Sequence, residues 1–117
     1  MSTRAGSYGH WEEDAKAFAS WGVDWVKQDW CGVPHGLACP EASGNMSAAL
    51  NATGRHIALN ICRGCSNLFD VAQSWRIMGD HAGTWKSTKD TIAHMASIPR
   101  EHGGKPYGWN GESVIAV

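Results

Sequence analysis

Helix-like and strand-like segments alternate along this chain with short links between them, and that alternation limits the fold more than any other feature. Glu12 to Trp21 reads as a helix, with Ala15, Phe18 and Ala19 on one face and acidic residues in the first turn, where the helix dipole favours them. Gly22 stops it, and Val23 to Lys27 follows at once as a strand. A loop over residues 30–45 carries Gly and Pro punctuation. Met46 to Leu50 is a short helical pattern ending near Gly54, and Ile57 to Ile61 is a second compact apolar strand. Residues 67–73 suit a short helix, Ser74 to Met78 a short strand, and Thr84 to Ile98 a helix halted by Pro99. The last helix offers Trp85, Ile92, Met95 and Ala96 as its apolar positions. Residues 102–106 form a turn, and residues 107–117 open a further strand. Strands separated by helices on short links predict parallel pairing and an α/β architecture.

The first strand has an unusual end. Val23, Trp25, Lys27 and Asp29 share one face by period-two alternation. That face begins apolar and finishes with an ammonium and a carboxylate. A Lys/Asp pair at a strand end is in most proteins a solvated ion pair of little energetic worth. The sharper reading is that Lys27 keeps Asp29 ionised at the mouth of a pocket.

The charge balance narrows the partners. A net charge of -1 leaves no electrostatic footprint for nucleic acid or an anionic membrane. No apolar run is long enough to span a bilayer, and the first residues lack a basic-then-apolar, signal-like pattern. Seven Trp in 117 residues fill core and surface, or stack on flat apolar ligand faces such as those of sugars. Asn45-Met-Ser47 and Asn51-Ala-Thr53 are usable glycosylation sequons in a secretory compartment. Cys62-Arg-Gly-Cys65 supplies a C-x-x-C half of a zinc site, but Cys31 and Cys39 are too widely spaced to supply the other half. Three disulfide connectivities, or free buried thiols, remain open for the four cysteines.

In a (β/α) barrel the reactive side chains sit where strands end, at the C-terminal mouth. The candidate strand ends carry Lys27 and Asp29, then Cys62 and Arg63, then Arg76 and Asp80, then Trp109 and Asn110. Each alone is a solvated charge. Carboxylates at two strand ends, each with a cation close by, suit paired-carboxylate chemistry.

Residues 6–31, "GSYGHWEEDAKAFASWGVDWVKQDWC", resemble the signature of glycoside hydrolase family 27, the α-galactosidase and α-N-acetylgalactosaminidase family. There a helix of this pattern leads into a strand ending Lys-x-Asp-x-Cys. "MSAALNATGR" is similar to the family's next helix and turn, "SWRIMGD" to its Trp-Arg-x-x-x-Asp segment, and "GWN" to the start of a later strand. The resemblance implies a partial (β/α)8 barrel, strands four to seven with their helices, so that residues 1–117 form a fragment of a glycosidase catalytic domain. It implies hydrolysis of terminal α-linked galactose with retention, Asp29 as nucleophile and Asp80 as general acid/base. It implies that Lys27 and Arg76 contact the sugar and the nucleophile, and it places Cys31, Arg63 and Trp109 among substrate-binding positions. No cofactor or metal is called for. The partner is an α-galactoside or oligosaccharide, together with self-association or a chain that completes the barrel. A secreted, lysosomal or vacuolar location is implied by the same resemblance.

The chain also departs from the family. Trp30 stands where Gly usually follows the nucleophile, and Arg63 where many members carry an acidic or otherwise sugar-reading residue. Trp109-Asn-Gly-Glu-Ser113 replaces the usual Trp-Asn-Asp-Pro-Asp, which leaves Ser113 or Glu112 at substrate-contacting positions. Met1 stands where a Cys normally pairs with the equivalent of Cys31. Two function classes follow: the catalytic part of an α-galactosidase-like enzyme, inactive by itself, or a non-catalytic remnant serving as a sugar-binding or assembly module.

Overall fold

The computed structural model of the chain describes residues 6–62, 70–98 and 109–111. Among these residues the order is α1 (Trp11–Ser20), β1 (Trp25–Gln28), α2 (Cys39–Ala52), β2 (Ala58–Ile61), β3 (Ser74–Arg76), α3 (Trp85–Ser97) and β4 (Trp109–Gly111). The strands form one sheet in the order β1-β2-β3-β4, and every pairing is parallel. The expected α/β class and parallel sheet are found. Numbering these strands as four to seven of a barrel is taken up under the proposed function.

α1 forms because Trp11, Ala15, Phe18 and Ala19 recur at helical spacing, with Glu12, Glu13 and Asp14 beside the positive end of its dipole. Its end is a Schellman motif. The Gly22 amide donates to the Ala19 carbonyl at 3.1 Å, and the Val23 amide to the Phe18 carbonyl at 3.0 Å. Gly22 takes φ 75°, a left-handed conformation that only glycine adopts without strain.

α2 is longer than the pattern over Met46 to Leu50 predicts. It starts at Cys39, inside the expected loop, because Pro40 stands in its first turn, where a missing N–H costs nothing. Ala42, Ser43, Met46, Ala49 and Leu50 then form its buried stripe. Past its end, Arg55 donates to the carbonyls of Gly22 and Val23 at 2.9 and 3.0 Å and pairs with Asp24 at 2.6 Å. The turn before β2 is thereby clamped to the turn before β1.

The core lies between α1, α2 and one face of the sheet: Ala15, Met46, Ala49, Leu50, Ile57, Leu59, Ile61, Ala72 and Trp75. Burying Leu50, Leu59 and Ile61 contributes about 1.5–3 kcal/mol for each side chain.

α3 lies within the expected span 84–98. Two of its apolar positions, Trp85 and Ile92, are 72% and 55% exposed, and its buried residue is Thr91. Hydroxyl residues replace an apolar stripe here because they satisfy themselves locally. Thr91 donates to the Ser87 carbonyl at 3.0 Å and Thr88 to the Thr84 carbonyl at 3.2 Å. β3 ends at Arg76 rather than at the expected Met78, since the Met78 carbonyl turns back to accept from Arg76 Nε. The helix expected over residues 67–73 lies mostly outside the described residues, and residues 70–71 are a turn.

Two substitutions separate the turn from the core. Gly22→Ala should cost about 1–2 kcal/mol through the left-handed backbone. Leu59→Ala should cost about 2–5 kcal/mol through the cavity it opens. Urea denaturation of each variant reads both values, and a Gly22→Ala chain as stable as the parent would contradict the cap assignment.

Candidate active site

The sheet register assembles the site. Gln28 pairs with Ile61, and Ile61 with Trp75. The next residue on each strand is Asp29, Cys62 and Arg76, so these three lie abreast at the strand ends. The Cys62 amide donates to the Gln28 carbonyl at 2.9 Å, which carries the ladder up to this row. Two residues back along the same face lie Lys27, Asn60 and Ser74, and Asn60 Nδ2 donates to Ser74 Oγ at 2.7 Å. This face is polar. The opposite face, with Leu59, Ile61 and Trp75, is the one buried under the helices.

Arg76 uses every nitrogen of its side chain. Nε donates to the Met78 carbonyl, Nη1 to Cys62 Sγ at 3.1 Å, and Nη2 pairs with Asp80 Oδ1 at 2.9 Å. The guanidinium is largely covered, with 15% of the side chain exposed, while Asp80 reaches solvent with 85% exposed. Water screens that pair, so its worth lies in placing Asp80 more than in stability. Arg76 meets Asp80 and Cys62 directly, and it reaches Asp29 through the thiol.

Asp29 is held below the ordinary aspartate range. The largest cause is the hydrogen bond from the Cys62 thiol. The Trp30 amide comes next, donating to Oδ1 at 2.7 Å. Partial burial opposes these donors, and the Lys27 ammonium and the Cys31 thiol add smaller support. Cys62 moves the other way: burial and the neighbouring Asp29 raise its thiol, which therefore keeps its proton at neutral pH. Lys86 of α3 pairs with Asp90 on its own helix.

A cavity of about 570 Å³ opens over this row, lined by Asp29, Trp30, Cys31, Cys62, Arg76 and Asp80 among others. Two carboxylates therefore share one cavity, one tied by hydrogen-bond donors and the other by a guanidinium. That arrangement suits chemistry that uses two carboxyl groups in different roles. A neighbouring cavity of similar size lies on the other side of Trp30, lined by Tyr8, Trp11, Lys27, Gln28 and Met46. Trp30, which stands where the family usually has Gly, forms part of both walls.

The other expected site residues are placed as follows. Lys27 acts on Asp29 by charge, and Cys31 carries an exposed free thiol beside it. The backbone register puts Trp109 opposite Ser74, in the row of Lys27. Arg63, Cys65, Met1, Glu112 and Ser113 lie outside the described residues. Cys39 is in a disulfide while Cys31 and Cys62 are free, so no connectivity that pairs all four cysteines holds. That disulfide also removes Cys39 from any zinc set, and among the described residues no three His, Cys, Asp or Glu are placed to hold a metal ion. Among the same residues no helix is long and apolar enough to cross a membrane.

Cys62 reads in the sequence both as half of a metal motif and as a strand-end residue, and the structure has it accepting from Arg76 and standing beside Asp29. The strand-end reading locates it, since Cys62 directly follows the apolar strand Ile57 to Ile61, as Asp29 follows its own strand.

A family model described as alpha galactosidase A matches residues 2–116. Alpha-galactosidase 2 of Arabidopsis thaliana is 37% identical over 98% of this chain and 30% of its own length. An alpha-galactosidase of Cyamopsis tetragonoloba is also 37% identical, over 96% of this chain and 28% of its own. Among solved structures, an alpha-galactosidase from Saccharomyces cerevisiae superposes with a TM-score of 0.60 at 30% identity, over 89% of this chain and 24% of that one. A second structure of that enzyme, with raffinose, gives a TM-score of 0.53. The chain thus spans less than a third of the length of these relatives.

The electrostatics predict an acid signature. A carboxyl whose folded pKa is depressed contributes stability above its unfolded value, about 3.9, and loses that contribution as pH falls through the folded value. The loss attributable to Asp29 therefore falls below about pH 4. In Asp29→Asn the fall in stability between about pH 4 and pH 2 should be shallower than in the parent chain. Parallel denaturation curves for the two chains across that window would contradict the assigned donors.

Proposed function

The chain belongs to the alpha galactosidase A family, and on that premise we propose that it carries part of a retaining glycoside hydrolase for terminal α-linked galactose. In this reading residues 1–117 are a portion of a (β/α)8 catalytic domain, and β1 to β4 correspond to its strands four to seven. Asp29 is the nucleophile and Asp80 the general acid/base. Lys27, Cys31, Arg63, Arg76 and Trp109 contribute to the sugar-binding mouth. A relative solved with raffinose supports an oligosaccharide substrate. A secretory or vacuolar setting belongs to the same proposal and rests on kinship alone.

One observation carries the proposal: Asp29 and Asp80 line one cavity at the C-terminal ends of parallel strands. That is where an α/β barrel keeps its chemistry. The expected steps follow from their surroundings. Asp29 is anionic and surrounded by donors, so it is ready to attack an anomeric carbon that carries oxocarbenium character. Asp80 is at the solvent-exposed edge, where a leaving-group oxygen would emerge and take its proton. Water then cleaves the glycosyl ester, with Asp80 acting as base.

A covalent trap tests these roles. An activated, fluorinated α-galactoside that forms a long-lived glycosyl ester registers single events, even where steady turnover is slow. Mass spectrometry should find the adduct on Asp29 and none in Asp29→Asn. Labelling of a different residue, or none at saturating reagent, would overturn the nucleophile assignment. Nitrophenyl α-galactoside should be hydrolysed only slowly by the 117-residue chain alone, because a full barrel takes about 250 residues and positions the sugar from many strands. Brisk nitrophenol release that vanishes in Asp29→Asn would refute this expectation.

A second reading, an assembly or sugar-binding module, is favoured by the sheet edge. β1 pairs only with β2 among the described residues, and Trp25 on that edge strand is 51% exposed. An exposed strand edge recruits further strands. Light scattering should therefore show the mean mass rising with concentration, and a monomer at all concentrations would remove this reading.

A further inference from the structure

We propose that Cys62 is a positioning residue that joins the two carboxylates: its thiol donates to Asp29 and accepts from Arg76, whose other arm holds Asp80. The inference rests on the proposed roles of Asp29 and Asp80 for its meaning, and on local geometry for its existence. Arg76 Nη1 lies 3.1 Å from Cys62 Sγ, and Arg76 Nη2 lies 2.9 Å from Asp80 Oδ1. Asp29, Cys62 and Arg76 stand on adjacent strands in one register row, and all three line the same cavity, which sets the thiol beside the carboxylate. A proton donated from that thiol to the carboxylate closes the path Asp29, Cys62, Arg76, Asp80.

Sulfur suits this place for physical reasons. A thiol is one donor and a weak acceptor, so it links an anion to a cation without itself ionising. Cys62 is buried, with 6% of its surface exposed, and its backbone is fixed by the hydrogen bond its amide donates to the Gln28 carbonyl. Burial and the adjacent carboxylate both favour its protonated form. Such a thiol is a poor nucleophile, in contrast to the exposed Cys31 two residues beyond Asp29. Its hydrogen bond to Asp29 also has a direction: the proton points at the carboxylate oxygen, because the guanidinium on its other side can only donate. The thiol proton therefore helps to fix which way that carboxylate faces. Moving Asp80 would be felt at Asp29 through Arg76 and this thiol, with no direct contact needed.

The coupling is reciprocal and can be read without substrate. In Asp29→Asn the carboxylate no longer opposes thiolate formation. With that opposition removed, the Cys62 alkylation rate near pH 8 should rise about threefold. Peptide mass spectrometry separates Cys62 from the other thiols. In the opposite direction, the Asp29 carboxyl titration, followed by carbon NMR, should move up in Cys62→Ala and stay near the parent value in Cys62→Ser, which keeps a donor. A thiol that only fills space would shift neither reading. An unchanged Cys62 alkylation rate in Asp29→Asn overturns the proposal, and so does an unmoved Asp29 titration in a folded Cys62→Ala chain. Should Cys62→Ala not fold, the alkylation arm decides alone. A chain that shows the coupling but takes no galactosyl adduct on Asp29 would sink the nucleophile reading and leave the thiol bridge standing, so the two failures are distinguishable.

Discussion

The hydrogen bond from the Cys62 amide to the Gln28 carbonyl, 2.9 Å long, fixes where two strands end relative to each other. With the β2–β3 register it sets Asp29, Cys62 and Arg76 abreast. Side chains alternate along a strand, so a slip of one residue would turn every member of a row to the opposite face. Here such a slip would expose Leu59 and Ile61, which are 1% and 2% exposed, and would bury the site's charges under α1 and α2. The apolar residues thus hold the register, and the register builds the site. Hydrophobic burial on one face of the sheet supplies the precision that the polar face needs.

Arg76 extends that precision past the end of β3. Three donors in a planar fork match three acceptors that come from different places: a loop carbonyl, a thiol on β2 and the Asp80 carboxylate. A lysine presents one mobile ammonium and could not hold all three at once. The segment 77–80 therefore wraps around the guanidinium, which is why the strand stops at Arg76 and why Asp80, four residues on, returns to the mouth. A shared neighbour brings the acidic partner to Asp29, although Asp80 belongs to no regular element.

The parts legible in the sequence are those where periodicity and burial agree. The α1 stripe of Ala15, Phe18 and Ala19, its glycine stop and the two apolar strands after it are found close to their expected places. So is the Lys27–Asp29 face. Reading failed where a local signal had two physical meanings. Pro40 and Gly44 look like loop punctuation, yet proline is harmless in a first turn and one interior glycine is tolerated when Met46 and Leu50 bury the stripe. Trp85 and Ile92 are the large apolar residues of α3, yet its inward positions are hydroxyls that bond to their own helix. Cys62 is legible as a strand-end residue, but not as the neighbour of Asp29 and Arg76, because spacing says nothing about which strand end lies beside which. Parallel pairing between residues some thirty positions apart decides that, and no local window contains it.

The same pairing explains why the anion at Asp29 keeps its charge effective. A carboxylate can be held ionised by a cation in contact with it, but the cation then cancels much of the field the carboxylate would exert on a developing positive centre. Around Asp29 the two strongest donors are neutral, a thiol and a backbone amide, with Lys27 contributing less. The Arg76 guanidinium stands one strand further along the row, beyond Cys62, and spends its charge on Asp80 and the Met78 carbonyl. Neutral donors stabilise the anion by orientation and leave its net charge facing the cavity. For a nucleophile meeting an oxocarbenium-like carbon that is the useful arrangement, because attraction in the transition state then exceeds attraction in the ground state. Under the role proposed for Asp29, placing Cys62 between it and Arg76 separates two demands that a direct ion pair would confuse: keeping a nucleophile deprotonated, and keeping it charged toward its target.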